Sequence, residues 1–522
     1  MGKRMESGSP AHVFTKAISQ RSWLLGFVGL VTVMVVSLLV ERLRGAWSLN
    51  QRLKELRRSG ERLTLVDGMP PSVGPQSNAL HAVLALSNQI SGTVSNLGAP
   101  PPAGRWTSNG TVVSTVKLAH WTAGKETNSW DRMDGILASG AGVISDLQLA
   151  LQLPGWDEGF DYAVGFADFQ VPRLVETKRA AQLLQLAALS DIRAGHGASA
   201  LERQKSLLTL VRMQGDSRLI ISHLVRIATG NYAWNATWEG LLAGVWNADQ
   251  LAELQSAWTG FDFQSAMILS FEMERTMSLH LFEQASSDPK VLRRQIDQRF
   301  EAAEKIDWEA NLPAGRFVEH WFHAPLWRFA WRHQDQLRAL DRWQRVVEAG
   351  RAVDRNSWKQ SADVLNQMID PDEEWFPLMA PGEEPGPGLY DQWRFLLSGG
   401  AFGITRAVVL RAPQADMMRQ MTITAIALAR FRSAESRYPD QLSDLVPAYL
   451  AAIPVDSADG HPLRYRREGI GFVLYSVGEN LKDDGGTSIP SKPGTSSASF
   501  WSGLDAVWPK AARAEEIVPN SF

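Results

Sequence analysis

The stretch Trp23–Val40, WLLGFVGLVTVMVVSLLV, runs eighteen residues without a charge, and it limits every other reading of the chain. As a helix it rises about 27 Å, close to the roughly 30 Å of a bilayer's hydrocarbon core. Lys16 and Arg21 precede it, and Glu41, Arg42 and Arg44 come after it. A cleaved signal peptide has a shorter apolar region that ends in small residues. Here the chain continues ERLRGAW, so a retained anchor over residues 23–40, in contact with membrane lipid, is expected. The competing reading is a buried core helix, which basic residues on both flanks disfavour.

The charge distribution agrees. Residues 1–62 carry 11 Lys and Arg against 4 Asp and Glu, a balance of +7, which leaves −10 for the rest of the chain. A basic end on an acidic body suits a membrane-proximal segment, whereas a nucleic-acid partner would require a basic body. The chain has no cysteine, which excludes disulfides and any cysteine-ligated zinc or iron–sulfur centre. Its 522 residues are too many for one ordinary core, so two or three folded units are expected. The twenty tryptophans are read as large core or interface surface.

Helical periodicity dominates the chain beyond the anchor. Residues 51–65 place Leu53, Leu56 and Leu63 on one stripe, and DGMPPSVGPQSN then breaks the pattern. From Val175 to Trp258, helical runs are separated by Gly195, Gly215 and Gly230, where C-caps are expected. Asn247 and Gln250 have the spacing of a capping box. Helices are also expected over Phe263–Gln284, Leu292–Trp308 and Met417–Ser436. The fold class expected is mainly α: a helical-hairpin, bundle or solenoid-like body with a small α+β C-terminal domain. Its organisation reads as a cytoplasmic tail (1–22), the anchor (23–40), a membrane-proximal helical region (41–172), the helical body (173–370), a linker with a connecting helix (371–410), the small domain (411–486) and a mobile Ser/Pro-rich tail (487–522).

Catalytic signatures are sparse. The chain lacks GxxxxGK[ST], GxSxG and HExxH. His320 and His323 lie one turn apart, with His333 beyond them, a spacing compatible with metal ligation; Pro325 is expected to break that helix. Glu272, Glu274 and Arg275 could form a charged functional face, though a solvated helix face is the plainer reading.

The C-terminal order is more informative. A helix ends at Tyr438-Pro439, and Asp440 is placed to cap a short helix through Leu445. Leu463–Arg466 and Phe472–Val477 alternate around REGI as a β-hairpin does. The sequence Tyr438-Pro439, Leu442–Leu445, Pro454-Val455-Asp456, Gly460-His461-Pro462, Tyr465 and Ser476-Val477-Gly478, continuing to Asp483-Asp484-Gly485-Gly486, resembles the C-terminal domain of the type II secretion major pseudopilin family. The resemblance covers residues 421–486. It implies a periplasmic module and a calcium ion in the last loop, with Asp483, Asp484 and, as a weaker third, Asn480 as candidate ligands. The family's N-terminal peptidase signature is absent, since the apolar run contains no Glu, so the resemblance does not extend to filament assembly. The expectation is a bacterial inner-membrane protein, bulk in the periplasm, that binds other envelope proteins without being an enzyme. The alternative is an envelope enzyme or metalloprotein with its site in the helical body.

Overall fold

The computed structural model describes residues 11–98, 100–101, 105–107, 109–123, 125–168, 173–304, 317–367, 391, 394–398, 406–489, 500–501 and 503–516. The protein is mainly helical, with small antiparallel sheets. It forms two compact units, each discontinuous in sequence.

The first unit comprises residues 1–62, 278–341 and 371–403. Its dominant element is one helix, Ala11–Arg58. The anchor residues Trp23, Leu25 and Phe27 are 63–80% exposed, whereas Leu49 and Leu56 further along the same helix are buried. This helix is long and apolar enough to cross a membrane. The unit's core gathers Phe282, Leu292, Ile296, Trp327, Trp331 and Leu397. Asp335, fully buried, accepts hydrogen bonds from Trp327 Nε1 (2.8 Å) and from the Leu397 (2.7 Å) and Ser398 (2.9 Å) amides.

Pro325 does not end the helix that contains it. The backbone stays helical from residue 317 to Arg355, with π-turns at Glu319–His323 and Trp327–Trp331 on either side of the proline. Wider turns accommodate a residue that has no N–H and a bulky ring.

The second unit comprises residues 63–277, 342–370 and 404–522. Its helices Leu174–Arg193, Gly197–Met213 and Ile220–Ala243 pack on one another, and Ala248–Thr259 packs on Gly197–Met213. The capping box forms as the spacing predicts: the Gln250 amide donates to Asn247 Oδ1 (2.9 Å), and the Asn247 amide donates to Gln250 Oε1 (3.0 Å). Gly195 adopts the left-handed conformation just past its helix. Gly230, however, lies inside the Ile220–Ala243 helix, and the cap is Gly244 (φ +67°). A Cβ at Gly230 would stand 2.7 Å from the Phe263 ring, so its glycine serves close packing.

Two small hairpins were not foreseen from the sequence: β1 (Arg105–Trp106) with β2 (Val112–Val113), and β3 (His120–Ala123) with β4 (Glu126–Ser129). At the C-terminal end, the helix Arg406–Glu435 starts earlier than Met417 and carries Pro413 inside it. It leads to the hairpin β5 (Arg464–Glu468) and β6 (Gly471–Ser476), with Tyr465 opposite Leu474 and Arg464 opposite Tyr475. A third strand, β7 (Ala506–Val507), pairs with β6 and comes from the segment expected to be a mobile tail. Trp508 and Phe500 join the same hydrophobic cluster as Leu184, Trp234 and Leu474. Trp238 Nε1 donates to the Pro509 carbonyl at 3.0 Å. Apolar burial thus carries the C-terminal strand into the core of the helical body.

The cap of the short Leu442–Leu445 turn also differs from expectation. Gln441 and Asp444 form its capping box, and the Asp440 amide donates to Asp444 at 3.1 Å. Asp440 is one residue too early to be the cap.

Candidate functional site

The closing acidic loop was the strongest candidate from sequence. Asp483 Oδ1 accepts from the Tyr475 hydroxyl (2.9 Å) and the Gly485 amide (3.0 Å). Asp484 Oδ2 accepts from the Asn480 side-chain amide (2.7 Å), whose own oxygen takes the Lys482 N–H (2.9 Å). Calcium requires about six to eight oxygen ligands. Asn480, Asp483 and Asp484 do share this loop, but Asn480 turns a donor toward Asp484, and the two carboxylates have different partners. No group of three or more His, Cys, Asp or Glu side chains able to hold a metal occurs among the described residues. The three candidate side chains are thus engaged with protein donors in this loop.

What organises the loop is Asp505, which the sequence reading missed. Its fully buried carboxylate accepts from the Gly486 and Thr487 amides (2.9 Å each) and from the Asp484 amide (3.3 Å). Burial pushes Asp505 above the usual carboxylate range, and these N–H groups oppose the shift. It stands beyond a Ser/Pro-rich run in the sequence, so no local spacing points to it.

Below the loop, the sequence motifs converge on Asp456. This fully buried side chain accepts from the Ala458 and Val477 amides (2.9 Å each), Ser476 Oγ (2.7 Å) and an Arg464 Nη (2.9 Å). Arg464 also pairs with Asp459 through both guanidinium nitrogens, a forked geometry that fixes its direction. The Tyr465 hydroxyl donates to the Pro439 carbonyl at 2.8 Å. Pro-x-Asp and Ser-x-Gly thus meet in one polar core, and Tyr-Pro is tied to the sheet by a separate hydrogen bond.

The histidines are not brought together as a ligand set. His320 Nε2 lies 2.9 Å from Asp297, and the buried His323 contacts Glu319. His333 is lowered from its ordinary pKa by burial and then by the nearby Arg332 and Arg42 charges.

In the second unit, the acidic residues act on helix ends. Glu272 pairs with Arg351 at 2.7 Å. Glu274 accepts the Ile220 amide at 2.7 Å, and burial pushes it up to about 8. The fully buried Arg275 donates to Gln344. Glu158 accepts from the Ser217 (2.9 Å) and Ser222 (2.7 Å) hydroxyls. The Ile220–Ala243 helix has no side-chain cap from its own N-cap residue, Leu219. Glu274, from another part of the chain, satisfies the Ile220 amide of its first turn, Glu158 holds the neighbouring serine hydroxyls, and negative charge there suits the helix dipole. Glu239 plays a similar part for Ser114 Oγ (2.8 Å) and the Thr115 amide.

The remaining feature is a cavity of about 350 Å³ in the first unit, lined by Arg293, Arg328, Arg332, His320, Pro325 and Phe329 among others. None of its lining residues is acidic. The sequence offered one signal for it, the alternation of Arg with aromatic residues after His320. No family model, curated protein or solved structure matches the chain.

Proposed function

We propose that this chain is a single-pass bacterial inner-membrane protein whose helical body and pseudopilin-like C-terminal module stand in the periplasm and bind other envelope proteins as a non-enzymatic scaffold. The observation that carries the reading is the Ala11–Arg58 helix: its apolar stretch is left uncovered, and it is buried at Leu49 and Leu56. An apolar helix exposed in this way requires lipid, and its continuity into the packed region makes a rigid stalk. The buried acids support a structural role for the body, because Glu158, Glu239, Glu274, Asp335 and Asp456 each end on backbone amides or neighbouring hydroxyls. The link to type II secretion-like or pilus-like systems rests on the motif order over residues 421–486.

The absence of cysteine makes the topology directly testable. Single cysteines at Ser7 and Lys482 would be probed with a membrane-impermeant maleimide in spheroplasts. Labelling of Lys482→Cys in unbroken spheroplasts, with Ser7→Cys labelled only after permeabilisation, is expected. The opposite pattern puts the body in the cytoplasm and ends the secretion-related reading. A scaffold is further expected to leave detergent-solubilised membranes in a complex of fixed stoichiometry; recovery of the chain alone after in-cell crosslinking argues against that role.

A further inference from the structure

The first unit places a cluster of arginines, with no ion-pair partner among the described residues, where the anchor leaves the apolar layer. Arg42 lies two residues past the apolar run, about 3 Å of helix rise. Its guanidinium stacks on Phe329 (5.3 Å to the ring centre) and donates to the Phe329 carbonyl (3.4 Å). Ten residues further along the anchor helix, Arg52 pairs with Asp341 at 2.9 Å. These two contacts fix the direction: the 317–341 segment runs parallel to the anchor helix. Residues before Phe329 therefore extend toward the apolar stretch. Those residues include Phe317, Trp321 and Phe322, which are 56–62% exposed. Large aromatic side chains left open on this side are what an interfacial belt contains.

The cavity opens beside them. Arg328 reaches the Ser286 carbonyl (2.6 Å), at the end of the Gln264–Ser287 helix. Arg293 lies over the Trp321 ring at 5.6 Å. Arg332 has a buried Nε with no hydrogen-bond partner. Burial, and then the charges of Arg42 and Arg328, hold its pKa below the usual arginine value. Two carboxylates of this unit have partners of their own: Asp297 lies against His320, and Glu41 against Gln334. Like charges gathered in a cavity of ligand size with no acid among its described lining residues favour an anion. Guanidinium groups suit phosphate oxygens through paired N–H donors. Leu292, Pro325 and Phe329 give the same cavity an apolar wall.

We propose that this cavity binds the phosphate of an anionic phospholipid headgroup, with Arg293 and Arg332 as its cationic ligands and Trp321 and Phe322 seated in the adjoining apolar layer. This rests on the reading of Ala11–Arg58 as a membrane-spanning helix. A free phosphate would satisfy the same guanidinium groups, and the position beside the anchor favours the lipid.

The test uses the full chain purified in neutral detergent. Phosphatidylglycerol and phosphatidylcholine are titrated separately, and the lipid retained is counted by native mass spectrometry. Preferential retention of one phosphatidylglycerol is expected. The double variant Arg293→Gln/Arg332→Gln is expected to weaken it about 25-fold, at about fivefold for each arginine near the surface. Arg44→Gln, which removes one positive charge from an exposed site and so matches a single arginine of the pair, is expected to leave retention within about twofold. Arg328 is kept because its substitution would uncap a helix. Circular dichroism melts check that each variant is folded. Equal retention of the two lipids, or equal losses in Arg44→Gln and the double variant, overturns the proposal. Competition by millimolar inorganic phosphate shows that free phosphate is the ligand and overturns the lipid assignment. Alkaline carbonate extraction of the chain from native membranes is run in parallel. Release there refutes the spanning reading, whereas a carbonate-resistant chain with no lipid preference refutes the cavity assignment alone.

Discussion

Replacing Asp505 isolates what holds the C-terminal loop. Its carboxylate is fully buried and takes two amides at 2.9 Å and a third at 3.3 Å. Hydrogen bonds to a charged group are each worth about 1.5–3 kcal/mol. The 3.3 Å contact is long, and Gly486 and Thr487 are half-exposed, so water recovers part of the loss. Asp505→Ala is therefore expected to destabilise the loop by about 2–4 kcal/mol. Asp505→Asn retains one acceptor oxygen but turns an N–H2 toward the Asp484 amide, for about 1–2 kcal/mol. Native-state hydrogen exchange reads this locally. The Gly486 and Thr487 amides should lose about 30- to 1,000-fold protection in Asp505→Ala, and a smaller factor in Asp505→Asn. In the wild-type chain, a chelator should leave that protection unchanged. Unaltered protection in Asp505→Ala refutes the argument, and loss of protection on chelation would instead assign the loop to calcium held by Asn480, Asp483 and Asp484.

Two further outcomes test the body. Glu274, pushed up to about 8, is protonated in the folded chain at pH values where the unfolded chain has already lost the proton. Stability should therefore fall as pH rises from about 4.5 to about 8, by at most about 1.4 kcal/mol per pH unit, and partial solvent access will reduce the slope. Glu274→Gln, which keeps an acceptor for the Ile220 amide, should flatten that window and melt no lower than wild type at pH 8.5; an unchanged slope would show that another group titrates. Gly197→Ala would put a Cβ 2.1 Å from the Val245 carbonyl oxygen, which is backbone and yields little. Thermal melts should show a loss of about 1–3 kcal/mol, while Gly142→Ala, on an open helix surface, should gain a few tenths or more.

The legible parts of this chain were those whose causes lie close together in sequence. The Asn247–Gln250 box could be read because both partners sit within one turn. Gly230 could not, because its reason is the Phe263 ring on a later segment. Pro325 predicted a break that π-turns absorb, since a local rule yields where packing holds the helix on both sides. Glu274 read as part of a solvated helix face because the helix start it caps, at Ile220, is distant in sequence. Asp505 and β7 were missed because Ser/Pro-rich composition was read as mobility.

The same principle bears on the pseudopilin resemblance. Asp456 takes N–H and O–H groups from Ala458, Ser476 and Val477, with the Arg464 guanidinium between the two stretches. A small hairpin packed on one helix cannot bury that carboxylate unless a turn, a strand start and a strand end present donors at once. Pro-x-Asp sets the turn, Ser-x-Gly ends the strand, and the Tyr465 hydroxyl ties the sheet to Tyr-Pro. The order of these motifs is thus what one buried carboxylate and one tie from the strand to Tyr-Pro demand of the chain. It speaks for the build of the module, and the module's place in secretion must be argued from its partners.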